Sequence, residues 1–388
     1  MSTDQPRIVF GRPSFDESEE ELVLQTIRSG WIGQGPLVER FEQLLGDYLG
    51  AEEVVAVSSC TAGLHLALQA LEIGPGDEVV TTPFTFVATI AAIVHAGATP
   101  VFVDVDRESL NLVPEAVAAA VTPRTKAIVP VHFGGRPLDS EAFHDVAETN
   151  DLWIVEDAAH AIGAVANGRR VGGSRQPRTL SVFSFYPNKN LSSAEGGAIT
   201  TSDARLARRL RSLRLHGLDV DAWDRYHVAE YRPSLAHEVG FKYNWTDLQA
   251  ALALPQLEKL EGFLAIREYL AEQYDELLRG VEDVRPVDRG PSGLLWRHAL
   301  HLYQVVVEGS PPRRDKVVSR LQHEGIGAAV HYIGVNHHPA YRTSTPYPVS
   351  DWASGALITL PLHPHLGGAD LERVISALTR GLDATREP

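Results

Sequence analysis

The stretch Ser181-Val-Phe-Ser-Phe-Tyr-Pro-Asn-Lys189-Asn-Leu-Ser-Ser-Ala-Glu-Gly-Gly197 reads as an apolar strand giving way to a polar loop with one lysine. Lys189 is one of five lysines in 388 residues, against thirty arginines. Upstream, a second Val/Ile-rich strand ends in Glu156-Asp157. Ligands of open α/β sheets gather at the carboxyl ends of the strands, so an amine and a carboxylate at two such ends frame a site. A lone loop lysine is also an ordinary solvated charge. Among the alternatives, Lys126 stands at the mouth of a strand, while Lys259 and Lys316 fall in helical, charge-rich runs where snorkelling is routine. Lys242, in a loop among aromatics, stays open as the competitor.

Outward from this stretch the chain alternates. Helices are expected near Glu19–Arg28, stopped by Gly30, and over Pro36–Tyr48. Short apolar strands follow at Val54–Val57, Val79–Thr82, Val101–Val105, Ala127–Val131 and Leu152–Val155, separated by helical stretches. Strands apolar along their whole length indicate a parallel sheet covered on both faces. After Asp157 two closely spaced strands, Thr179–Phe185 and Ala198–Thr201, bracket Lys189. A helix over Asp203–His216, a polar excursion over Gly217–Tyr243 and a long helix from about Thr246 come next. The remainder reads as strand His301–Val307, helix Arg313–Glu324, a strand near Ala328–Tyr332 and a closing helix from Ala369. The expected fold class is α/β, with a large domain over 1–261 and a smaller α+β domain over 262–388.

Apolar residues at 44% and charged residues at 22% are those of a globular enzyme. A formal charge of −15 opposes general binding to nucleic acid or anionic membranes, so an anionic ligand needs a local basic pocket. The amino terminus lacks the basic start and apolar core of a secretion signal, and the apolar run from Phe86 to Val103 is broken by His95, Gly97 and Pro100. The single cysteine, Cys60, excludes an internal disulfide and suits a cytoplasmic location. No metal site is expected.

Four groups fall at strand ends. Ser58-Ser-Cys-Thr61-Ala62-Gly opens a helix, whose free amides and dipole suit a phosphate; equally, Ser59 or Thr61 is simply an N-cap. Asp157 offers a desolvated carboxylate, and His160, three residues on, a ring neighbour. Ser184 precedes Lys189 and could reach a phosphate, and Gly196 and Gly197 would let backbone pass close to a ligand. Phe86 stands at a strand-to-helix junction, placed to stack on an aromatic ring or to pack in the core. Together, in this order, they suit pyridoxal 5'-phosphate. The lysine amine forms a Schiff base with the cofactor aldehyde, and the carboxylate keeps the pyridine nitrogen protonated.

Several runs resemble one family. They are Ser59-Cys-Thr-Ala-Gly-Leu-His-Leu, Gly74-Pro-Gly-Asp-Glu-Val, Pro83-Phe-Thr-Phe-Val-Ala-Thr, Glu156-Asp-Ala-Ala-His, Phe183-Ser-Phe-Tyr-Pro-Asn-Lys-Asn-Leu and Tyr243-Asn-Trp-Thr-Asp. With Ala98-Thr-Pro-Val-Phe-Val-Asp-Val-Asp and Thr122-Pro-Arg-Thr-Lys-Ala-Ile-Val-Pro-Val-His, they are similar to the nucleotide-sugar aminotransferases of the DegT/StrS type, over nearly the full chain. That resemblance implies the fold type I architecture of pyridoxal phosphate transferases. It implies Lys189 as Schiff-base lysine and proton shuttle, Asp157 as pyridinium partner and His160 as ring neighbour. Thr61, Ala62 and Ser184 would hold the phosphate, Asn244 would reach the cofactor of the other subunit of a homodimer, and His331 would lie near the sugar nucleotide. The lysine itself separates the chain from members that carry histidine there and remove a hydroxyl.

Lys189-Asn-Leu-Ser-Ser-Ala-Glu195-Gly-Gly and His216-Gly-Leu-Asp-Val-Asp-Ala-Trp-Asp-Arg resemble members that aminate sugar C4. The expected reaction moves the amino group of glutamate to a nucleotide-linked 4-keto sugar. Arg225, Arg232 and Lys242, in the polar excursion, are candidates for the diphosphate or plain surface charge. The alternatives are amination of a 3-keto sugar or cyclitol, a lyase, and a non-catalytic cofactor-binding regulator. The arginine excess suits a GC-rich genome and hence antibiotic or surface-glycan sugars.

Overall fold

The computed structural model describes residues 6–173, 176–219, 223, 233–291 and 293–386. Two amphipathic helices come first, α1 (Glu17–Ser29) and α2 (Pro36–Leu49). Asp16 and Glu19 form a capping box at the start of α1, and Gly30 ends it at φ 79°, where only a residue without Cβ is unstrained.

The main sheet has seven strands in the order β1 (Glu53–Val57), β9 (Gly197–Thr201), β8 (Thr179–Ser184), β5 (Trp153–Asp157), β4 (Thr125–Val129), β2 (Glu78–Thr81) and β3 (Thr99–Phe102). The pairs from β8 through β3 are parallel, and β9 runs antiparallel to both β8 and β1. The exception follows from how the connecting residues are used. A parallel return needs a crossover of a dozen or more residues, and residues 185–196 spend their length on the Lys189 loop instead.

Side-chain alternation assigns the layers. Val55 and Val57 of β1 face α3 (Cys60–Ala70), α4 (Val87–His95) and α7 (Ala204–Leu213), joining Leu64, Ile93 and Leu210 in one core. Val54 and Ala56 face α2 and α8 (Asp247–Leu278), joining Phe41, Leu45 and Leu254. Further along the sheet, Val80, Ile128 and Ile154 pack against α5 (Pro114–Ala120) and α6 (Ser140–Asn150). Both faces are covered, which is why the strands carry continuous apolar runs.

A two-stranded antiparallel ribbon, β6 (Val165–Ala166) and β7 (Arg169–Arg170), follows β5, and a further sheet, β10 (Val284–Pro286), β11 (Tyr303–Val307) and β12 (Leu357–Leu360), is antiparallel throughout. It shares a core with α9 (Pro311–His323) and α11 (Gly368–Asp383). The short helix α10 (Pro348–Ala356) leads directly into β12. The division expected at 261/262 falls inside the 32-residue helix α8. Leu254, Leu260 and Leu264 belong to the first core, and Leu270, Tyr274 and Leu278 to the second. Ile8 also packs in the second core, paired with Ile326, although the chain order puts it with the first domain.

Three expectations need correction. Val101–Val105 was expected to be a buried strand; β3 ends at Phe102 and is the half-buried edge of the sheet. Ala328–Tyr332 is not a strand, since only Ala329 bridges, to Thr359, before the segment turns toward the main sheet. The helix from Asp203 stops at Leu213, because His216 takes φ 62° and Gly217 φ 73°. The apolar run after Phe86 resolves into α4, a turn and β3. Among the described residues no helix is long and apolar enough to cross a membrane.

Candidate active site

At the carboxyl ends of β5 and β8, a cavity of about 410 Å³ is lined by Thr61, Phe86, Asp157, His160, Ser184, Lys189 and His331. Seven of the sequence candidates therefore meet in one place, within the size range of small-molecule sites. Lys126 and Lys316 are exposed, Lys259 pairs with Asp16 and Glu19, and Lys242 is exposed and donates to Asn244 Oδ1. Lys189 is the lysine of the cavity.

Its loop is held from several sides. The amide of Lys189 donates to the Tyr186 carbonyl at 2.9 Å, and that of Ser193 to the Phe185 carbonyl at 2.9 Å. Buried Asn190 donates through Nδ2 to the Ala299 carbonyl at 2.6 Å. The carbonyl of Glu195 accepts from Ser193 Oγ, Trp245 Nε1 and Gln249 Nε2 at 3.0, 2.9 and 2.8 Å. Burial pulls the Lys189 amine from 10.5 down to about 8, with Cys60 and Asp157 opposing.

Asp157 ends β5. Its Oδ2 accepts from Thr89 Oγ1 at 2.7 Å, and Thr89 in turn meets Thr85 Oγ1 at 2.8 Å. Oδ1 takes the Ala159 amide at 3.1 Å, with the Cys60 thiol at 3.9 Å. Burial raises the carboxyl above its ordinary value, against those hydrogen bonds. A buried carboxyl that forms no ion pair within 4 Å among the described residues is suited to a cationic ring nitrogen.

Three histidines and a tyrosine form the opposite wall. Tyr332 Oη lies 3.1 Å from His160 Nε2, and the His160 and His301 ring centroids are 4.4 Å apart. His301 Nε2 lies 3.4 Å from Lys189 Nζ. His331 Nδ1 meets Thr359 Oγ1 at 2.9 Å, and its ring stacks on Phe10. Burial, then the nearby Lys189, holds His160 and His301 well below 6.5 and His331 at about 4. Burial likewise pushes the Tyr332 phenol up. Phe86 is 55% exposed with its ring 5.9 Å from that of Tyr332, so it faces the cavity rather than the core.

The start of α3 closes the cavity through Ser59, Cys60 and Thr61. Here the cap reading holds: Ser59 Oγ accepts from the Ala62 amide at 3.1 Å. The Ala62 amide is thus engaged within the helix and Ala62 is buried beneath the rim, which leaves the amides of Cys60 and Thr61 with the Thr61 and Ser184 hydroxyls for an anion. The two glycines do make room, but for protein. A Cβ on Gly197 would lie 2.6 Å from the Phe183 carbonyl and 2.8 Å from the Cys60 amide nitrogen, and one on Gly196 would lie 2.7 Å from Trp245 Nε1.

Asn244 and Lys242 lie outside this cavity, and Arg225 and Arg232 lie outside the described residues. Sequence reasoning missed His301, Tyr332 and the Thr85–Thr89 pair. The threonines sit four apart across the start of a helix, a spacing that could have shown them. His301 and Tyr332 come from the second unit, and nothing local marks them.

Pyridoxal phosphate fits these residues. His160 and His301 each keep a buried Nδ1 without a hydrogen-bond partner among the described residues, in a cavity that offers an amine, a cation-seeking carboxyl, an aromatic lid and an anion cradle. The solved structures agree with that fit. Spr1654 of Streptococcus pneumoniae, named as a sugar aminotransferase and solved in its PMP form, superposes with a TM-score of 0.90 at 30% identity, covering 98% of this chain and 100% of that one. The aminotransferase TlmJ of Streptoalloteichus hindustanus gives 0.89 at 32% identity over 97% and 99%. DesV of S. venezuelae, in complex with a ketimine intermediate, gives 0.86 at 32% over 99% and 100%. The family model described as DegT/DnrJ/EryC1/StrS aminotransferase matches residues 13–379. The chain belongs to the DegT/DnrJ/EryC1/StrS family and is a pyridoxal phosphate-dependent sugar aminotransferase of fold type I.

Proposed function

We propose that the enzyme carries the amino group of glutamate to a nucleotide-linked 4-keto sugar, giving a 4-amino sugar. The observation that supports transamination is the cavity shared by Lys189, at a pKa of about 8, and the cation-seeking Asp157. Pyridoxal phosphate, when bound, supplies the aldehyde and the electron-accepting ring. Asp157 keeps the ring nitrogen protonated, while Thr61 and Ser184 bind the phosphate and Phe86 covers the ring. At neutral pH a usable fraction of Lys189 is the free amine, so Nζ acts first as nucleophile and afterwards carries a proton from the donor's α-carbon. The histidine wall is neutral, so it orients polar groups without repelling the lysine.

Support for position C4 comes from the resemblance of the Glu195-Gly-Gly ending to members that aminate C4. Glu195 lines the cavity, and its carbonyl is held by three donors. The glutamate side chain is therefore presented on a fixed backbone to the incoming sugar. The functional unit is a homodimer, in which Asn244, outside its own cavity, serves the partner's phosphate site. The deciding experiment offers the purified enzyme glutamate with 4-keto and with 3-keto nucleotide sugars. Amination of the 4-keto sugar is expected, and product from the 3-keto sugar alone overturns the assignment. Borohydride reduction followed by mass spectrometry should place the pyridoxyl adduct on Lys189.

A further inference from the structure

Lys189 and His301 belong to different parts of the fold. Lys189 stands on the loop between β8 and β9, whereas His301 comes two residues before β11 of the second sheet. They meet because the strand entry is tied to the lysine loop. Asn190, next to Lys189, donates to the carbonyl of Ala299 at 2.6 Å. Arg267 of α8, itself buried, donates through Nη1 to the carbonyl of Leu300 at 3.1 Å and reaches that of His301 at 3.5 Å. On the other side Gly135, at φ 104°, lets the backbone pass so close that a Cβ there would lie 3.2 Å from the His301 nitrogen. His301 as a residue is 96% buried and has little freedom to leave.

We infer that His301 is a positioning residue that receives the Lys189 amine whenever the lysine is not joined to cofactor, holding Nζ ready for proton transfer. The inference rests on the proposed role of Lys189. The 3.4 Å separation places Nζ within reach of Nε2. An ammonium has only donors, so Nε2 must present its lone pair and the ring proton must sit on Nδ1. The groups around His301 hold its ring neutral, with burial first and then Lys189 from its loop, His160 after β5, Arg267 from α8 and His331 beside β12, so that a lone pair is there to be presented. A second proton on His301 would add charge to a buried, already cationic setting. When Lys189 takes a proton from the donor, the new N–H therefore finds a fixed acceptor. The bond keeps the ammonium pointed toward the cavity until the proton is returned. No other bond is made or broken.

The test compares holoenzymes carrying His301→Leu, His301→Asn and His301→Gln, since only the glutamine oxygen can take the place of Nε2. Bleaching of the bound pigment by excess glutamate in a single turnover is expected to slow roughly 10–100-fold in the leucine and asparagine variants, the penalty of a misplaced catalytic group. Half-saturating glutamate should stay within about twofold, and α-deuterated glutamate should slow the step further. The glutamine variant should recover most of the rate. In cofactor-free protein, carbon-13 methyl labelling of the five lysines gives a second readout. The Lys189 midpoint should fall by about one pH unit without the acceptor, a roughly tenfold change in proton affinity, and return with glutamine. Rates within about twofold of the parent in both leucine and asparagine variants, with an unmoved midpoint, overturn the inference. Mass spectrometry of the reduced parent separates the two ideas: an adduct away from Lys189 sinks the functional reading, whereas an adduct on Lys189 with unchanged kinetics sinks only the role of His301.

Discussion

A buried amine is an energetic liability in the protein without cofactor, and Lys189 shows its size. Its pKa of about 8, against 10.5 for an ordinary lysine, means that the folded chain binds fewer protons than the unfolded chain between those values. Stability therefore rises as pH climbs through that window, and below about pH 8 the amine costs roughly 3 kcal/mol. Lys189→Met, close in shape and uncharged, should make the cofactor-free protein more stable by up to that amount at pH 7. The gain should disappear above about pH 10.5, where the amine is neutral in both states. Urea unfolding at the two pH values measures it, and a methionine variant no more stable than the parent at pH 7 would refute this account. The same substitution should abolish transamination if Lys189 carries the proposed role, so that stability and activity trade against each other at one atom.

Between elements, the deciding contacts are made by backbone. The first turn of α3, which closes the proposed phosphate site, lies directly against the start of β9. A methyl at Gly197 would meet the Phe183 carbonyl and the Cys60 amide nitrogen, neither of which is a flexible side-chain end. Gly197→Ala must therefore push β9 away from β8 or from α3. A cost of about 1–3 kcal/mol is expected, as for overpacked interiors, together with weaker cofactor retention because the Thr61 turn shifts. Thermal melts and the dialysis rate of the pigment would report both. Unchanged retention would mean that the α3 turn does not hold the phosphate. The Asn190 bond to the Ala299 carbonyl works in the same direction, tying the lysine loop to the second unit that delivers His301.

For the whole molecule the open element is the second subunit that the proposed homodimer requires. Asn244 lies outside the cavity of its own chain, half-buried on the surface beside Trp245. If each site borrows Asn244 from its partner, a hybrid dimer with Lys189→Ala in one protomer and Asn244→Ala in the other keeps one site intact. Such a hybrid, isolated with two affinity tags, should show about half the parental activity although each parent dimer is nearly dead, a consequence of two-fold symmetry. A hybrid as inactive as its parents would place Asn244 outside the partner's site.

Which contributions were visible in the chain depends on distance along it. Asp157 and Ser184 were legible because each ends an apolar strand of the main sheet, and strand ends converge in any open α/β fold. The lysine loop was legible because two closely spaced apolar strands bracket a polar run that carries the lysine. His301 and Tyr332 were not. They stand more than a hundred residues beyond Lys189, in segments whose local pattern is ordinary, and they reach the cavity only because α8 runs unbroken from the first core into the second. The destination of the Ala62 amide and the neighbours of Gly196 and Gly197 were equally hidden, since close approach of backbone leaves no trace in side-chain type. Local pattern and spacing thus determined the sheet, its carboxyl edge and the lysine; packing of remote segments alone decided which imidazole stands beside that lysine, because a contact between distant residues is set by how the layers close over them.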